Sequence, residues 1–161
     1  MKCKTCGVAL PNHLRPFYFC GEACCDKWWA DAAAVKRFYG GVEGDFLDGS
    51  CGDYAEALAF VSDGRAVTFL SKGNLHCAVE TPHGFLDVAG LLTPSRLAKE
   101  YGGLSFDDER DRPSSGMVEN DTLEMAEHQW FGRITKKSKK HSWITLDATR
   151  KRRLEAGHKN D

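Results

Sequence analysis

The chain reads as α+β: a small metal-binding module at the amino terminus, followed by a helix packed on an antiparallel sheet. Three observations predict this. Four of the seven cysteines fall in two close pairs within the first 24 residues, Cys3 with Cys6 and Cys20 with Cys24. Apolar residues recur at helical spacing over 51–62. After Asp63-Gly64 the period shortens to two, as in half-buried strands.

Each element can be justified in turn. Residues 1 to about 25 hold Pro11, Pro16 and the paired cysteines, so loops shaped by a metal are expected there. From Glu22 to Tyr39 the apolar positions Trp28, Trp29, Ala32, Val35 and Phe38 fit a helix, which Gly40-Gly41 ends. Ser50 is a suitable cap for a helix from Cys51 to about Ser62, with Tyr54, Ala55, Leu58, Ala59 and Val61 as its apolar positions. Three strands follow, carrying Val67 and Phe69, then Leu75, Cys77 and Val79, then Leu86 and Val88. Turns at Lys72-Gly73-Asn74 and Pro82-His83-Gly84 separate them. A two-residue turn at Pro82-His83, with His83 exposed at its tip, sets Thr81 opposite Gly84. Thr93-Pro94-Ser95 opens a short helix through Tyr101, and 105–121 reads as an acidic loop. Leu123 to Ile134 forms a last helix or strand that keeps Trp130 and Phe131 out of water. Beyond Lys136 the chain is mostly charged and expected to be flexible, apart from a helical pattern at Asp147 to Ala156. This divides the chain into a finger with its trailing helix at 1–40, an α+β domain at 41–134 and a basic tail at 135–161.

Composition excludes several classes. The 161 residues contain no run of eighteen apolar residues and no secretory signal pattern, so neither a membrane span nor export is expected. An odd number of cysteines, three of them without an obvious partner, fits a reducing, cytoplasmic setting. The net charge of -1 conceals an asymmetry: residues 133–161 carry ten Lys or Arg against three acids, a net +7, and the remainder sums to -8. Such a tail suits nucleic acid or another acidic surface, or is simply solvated. Oligomeric state is not legible.

Cys3, Cys6, Cys20 and Cys24 form C-x2-C, thirteen residues, then C-x3-C, a spacing that suits one tetrahedral structural Zn²⁺ far better than a disulfide framework. Cys25 and His13 stand nearby as rival ligands. The phrase Phe19-Cys20-Gly21-Glu22-Ala23-Cys24, opening a helix, resembles the treble-clef fingers of the TRASH, MYM and FCS type. That resemblance implies a structural metal and a protein or nucleic-acid contact, without a reaction.

Cys51 lies in the first turn of its helix, where unpaired amides and the helix dipole favour a thiolate. Under the hairpin register, Leu75, Cys77, Val79, Leu86 and Val88 share an apolar face, which assigns Cys77 to the core as an inert thiol. The opposite face carries His76, Ala78 and Glu80 beside Phe85, Asp87 and Ala89, so His76 and Asp87 are diagonal neighbours within hydrogen-bonding reach. The small Ala78 and Ala89 leave room for a helix on that face, expected to be the one bearing Cys51.

The order of cysteine at a helix start, histidine on a strand and aspartate on the next is similar to the papain-like and transglutaminase-like thiol hydrolases, including the NlpC/P60 group. The phrases Ser50 to Leu58, Leu75 to Val79 and Gly84 to Gly90 also look like small bacterial and phage proteins of that kind. The resemblance implies a minimal papain-like core acting on a protein or peptide amide. Cys51 would attack the carbonyl, His76 would move the proton, and Asp87 would orient the imidazole. Oxyanion donors would come from the Cys51 amide and from Asn74 or the 45–50 stretch. The rival expectation is a non-catalytic, zinc-binding adaptor for protein or nucleic acid.

Overall fold

The computed structural model describes residues 1–41, 44, 46, 50–71, 74–103, 109–132 and 143–146. Helices are α1 (Glu22–Ala30), α2 (Ala32–Tyr39), α3 (Cys51–Ser62), α4 (Pro94–Glu100) and α5 (Asn120–Phe131), with a 3-10 turn at Asn12–Phe17. Strands are β1 (Arg65–Ser71), β2 (Asn74–Thr81), β3 (Gly84–Asp87), β4 (Gly90–Leu91), β5 (Arg110–Asp111), β6 (Met117–Glu119) and β7 (Trp143–Thr145). The architecture is α+β with an antiparallel sheet in the order β4-β3-β2-β1-β5, and β6 pairs with β7 alone.

Alternation along β2 and β3 sets the two faces, and the expected hairpin register is found, with Val79 opposite Leu86 and Thr81 opposite Gly84. On one face Cys77, Val79, Leu86 and Val88 pack with Tyr54, Ala55 and Leu58 of α3 and Leu123 and Ala126 of α5. On the other, Val67, Phe69 and Ala78 meet Leu92 and Leu97, flanked by Phe85 and Tyr101. The helix filling the space above Ala78 is therefore α4, not α3. Alternation says which residues share a face, but the connection lengths decide which helix covers it.

The amino-terminal helix is two helices. Asp31 breaks it, and its side chain accepts from the amides of Ala33 and Ala34, as an N-cap does. Ser50, by contrast, makes no capping bond to α3, whereas Thr93 accepts from the Arg96 amide and caps α4. The region read as an acidic loop contributes β5, β6 and the start of α5. Trp130 packs partly against the core, but Phe131 stays 53 % exposed at the end of α5. Within the expected flexible tail, 143–145 pair with Met117–Glu119 and Leu146 is buried; residues 133–142 and 147–161, including the helical pattern at 147–156, lie outside the described residues.

Buried residues of the cysteine-rich segment (Leu10, Phe17, Phe19, Trp29) join the same core as α3, α5 and the sheet. The closest junction is at Gly90. Its φ of +99° is left-handed, and a Cβ there would sit 2.4 Å from the Phe17 carbonyl oxygen. Only glycine fits that approach.

Candidate functional site

The side chains of Cys3, Cys6, Cys20 and Cys24 offer four sulfurs all within 4.8 Å of one another. A local hairpin presents the first pair: the Cys3 amide bonds to Val8 O at 2.8 Å, and Gly7, at φ +75°, turns the chain back so that its amide reaches Cys3 O. The entry to α1 presents the second pair, Cys20 just before the cap residue Gly21 and Cys24 in the first turn. Four soft donors converging this closely could hold a metal ion, and thiol chemistry favours zinc among the common ions. The rivals are placed elsewhere. Cys25 is buried, donates to the Leu91 carbonyl at 3.1 Å and is pushed up to about 12 by burial. His13 lies against His83 with ring centroids 4.7 Å apart and the rings tilted by 36°, and His83 is exposed as the turn requires.

In the second half, His76 and Asp87 meet as the register requires, at 3.0 Å between Nε2 and Oδ2. Asp87 also receives Arg96 through both guanidinium ends, at 2.9 and 2.6 Å, and the Ala89 amide at 2.8 Å. Burial alone would raise this carboxyl, but the Arg96 charge and the His76 hydrogen bond outweigh it and bring it down to about 2. The carboxylate is thus ionised and can only accept, so His76 Nε2 is the donor in that bond. The other ring nitrogen, Nδ1, is buried and has no hydrogen-bond partner. The imidazole is 0 % exposed, with the Tyr101 ring stacked 4.1 Å away.

Cys51 is not at that nitrogen. It lies at the start of α3 on the other face of the sheet, in the same buried cluster as Cys77, the residue next to His76. The structure therefore joins His76 to Asp87 and puts Cys51 with Cys77. The interaction with Cys77, together with burial, raises the Cys51 thiol. Cys77 is correspondingly lowered, to about 6, first by the hydrogen bond from Cys51 and then by Thr68, Arg112 and His76, which overcome its desolvation. Arg112 Nη1 approaches Cys77 Sγ at 3.6 Å, and Thr68 Oγ1 lies 3.7 Å from it. Space for the guanidinium exists because residue 52 is glycine: a Cβ there would stand 2.4 Å from Arg112 Cζ.

Three residues of this region escape sequence reasoning. Arg96 and Arg112 look like solvated cations in polar or short helical segments, and Cys77 looks like an apolar residue on a core face. A long-range partner decides each case. Of the oxyanion donors considered, the side chains of Asn74, Asp45 and residues 47–49 lie outside what the structure describes, while Ser50 is exposed before α3. No protein-family model, curated protein or solved structure matches the chain. No helix among the described residues is long and apolar enough to cross a membrane.

Proposed function

We propose that the chain is a zinc-stapled protein with a papain-like core that performs cysteine-dependent hydrolysis or acyl transfer at a protein or peptide amide bond. In this reading Cys3, Cys6, Cys20 and Cys24 hold a structural Zn²⁺ in a treble-clef-like finger, supported by their mutual proximity. The observation that carries the catalytic half is the His76–Asp87 hydrogen bond with Nδ1 left open. This gives a histidine oriented by a carboxylate, with its second ring nitrogen unpartnered. Cys51 lies across the sheet from that nitrogen, so its service as nucleophile requires a rearrangement that carries its sulfur to His76 Nδ1. Its sulfur then bonds to the carbonyl carbon while His76 takes the thiol proton. The C–N bond breaks as that proton passes to the leaving amine, and water or a second amine resolves the thioester. Seven thiols and no disulfide suit a cytoplasmic setting.

A second reading has its own support. A fully buried imidazole and a carboxylate saturated by Arg96 and Ala89 are what a structural polar network needs. The chain would then be a zinc-binding adaptor for protein or nucleic acid, with the basic tail adding an electrostatic contact. Acylation separates the two. On incubation of the zinc-loaded protein with an activated peptidyl ester, the acyl group is expected on Cys51 by peptide mapping. The rate should fall at least a hundredfold in His76→Ala, the scale of general-base assistance. Acylation confined to lysines, or a Cys51 rate indifferent to His76, would establish the adaptor instead.

A further inference from the structure

Cys51 and Cys77 lie in one core cluster where α3 packs on β2, each nearly enclosed, at 8 % and 4 % exposure, and the Arg112 guanidinium reaches both Cys77 Sγ and the backbone of Gly52. A guanidinium borders them, and no metal-donor cluster among the described residues includes them. We propose that Cys51 and Cys77 form a reversible dithiol–disulfide couple, oxidised by a small peroxide. The arrangement contains what such a couple requires: a thiol whose thiolate is favoured, a second thiol in the same cluster to resolve the product, and a cation to hold the negative charge. Cys77 is the attacking sulfur. The Thr68 hydroxyl at 3.7 Å and the Arg112 guanidinium at 3.6 Å favour its thiolate over its thiol.

With hydrogen peroxide the chemistry balances in two steps. The Cys77 thiolate bonds to one peroxide oxygen as the O–O bond breaks, giving a sulfenic acid and a hydroxide that leaves as water with the proton released by the pair. The Cys51 sulfur then bonds to the Cys77 sulfur as the S–O bond breaks, and the departing oxygen leaves as a second water carrying the Cys51 proton. Two thiols and one peroxide become one disulfide and two waters. Enclosure selects the oxidant. A peroxide is scarcely larger than water, whereas oxidised glutathione must bring a tripeptide to sulfurs with almost no exposed surface.

The bond itself does not depend on the acyl-transfer reading. Its consequence does: if Cys51 is the nucleophile, the disulfide removes it and switches the site off. Cys25 is the internal reference, being buried and hydrogen-bonded to the Leu91 carbonyl.

The experiment uses the full, zinc-loaded chain. After treatment with equimolar hydrogen peroxide, the remaining thiols are alkylated under denaturing conditions and the peptides mapped by mass spectrometry. A Cys51–Cys77 cross-linked peptide is expected, reversed by dithiothreitol, with Cys25 still reduced and at least tenfold less product from oxidised glutathione. In Cys51→Ser, dimedone should trap a sulfenic acid on Cys77. The same cross-link should form in His76→Ala, which separates failure of this couple from failure of acyl transfer. Recovery of both thiols unmodified, or oxidation spread over the zinc ligands with none joining 51 to 77, overturns the proposal.

Discussion

Asp87 accepts from His76, Arg96 and Ala89 at once while entirely buried, so removing any charged partner strands a charge where water does not reach. Arg96→Ala should cost about 3 to 5 kcal/mol in urea unfolding, the range for breaking rather than replacing a buried pair. Folding lowers the carboxyl from 3.8 to about 2. Its contribution is therefore whole above pH 3.8 and drains away as pH falls toward 2, amounting to about 2 kcal/mol. A carboxyl-carbon titration by NMR should find Asp87 ionised at every pH at which the fold persists; a midpoint near 4 would contradict this. The His76–Asp87 meeting was legible in the sequence because the hairpin turn sets register and register sets diagonal neighbours. The partner of Cys51 was not legible, because alternation gives no information on which side of the sheet a preceding helix will pack.

At the level of elements, α1 joins the metal cluster to the sheet. Cys24 faces the other cluster thiols, Cys25 donates to Leu91 O beside β3, and Asp26 accepts from the Thr93 hydroxyl at 2.6 Å. Removing the metal should not stop at residue 30. Structural zinc contributes on the order of 10 kcal/mol in isolated fingers, as much as the whole stability of a typical domain. Chelation, or Cys20→Ser, should therefore expose the amides of α1 and also those of β3 and β4 in hydrogen-exchange measurements. Exchange confined to residues 1–30 would show the finger to be an independent unit. The sequence pattern placed the four-cysteine cluster, the Cys51 helix and the three-stranded meander. It missed the break at Asp31 because both halves keep helical apolar spacing, and it missed β5, β6 and β7 because two or three residues carry too little periodicity to read.

For the molecule as a whole, one buried amide ties the parts together. Gln129 of α5 accepts from the Tyr54 hydroxyl of α3 at 2.6 Å and donates to Pro16 O at 3.0 Å and Asp87 O at 2.7 Å. Gln129→Ala leaves three polar groups to find new partners, and the expected loss is about 3 kcal/mol or more in a single thermal transition that stays cooperative. Separate transitions for the finger and the sheet would mean that the shared core is not a folding unit. Cys24 and Cys25 are successive residues, one sulfur in the metal cluster and the other on the carbonyl of Leu91, in the strand paired with the one ending in Asp87. Thermodynamic reciprocity constrains any coupling carried by that linkage: a ligand at the His76–Asp87 edge would change the grip on an ion by the same factor as the ion changes the grip on the ligand. Metal affinity would then serve as an assay for compounds that engage the distant carboxylate, with no turnover required.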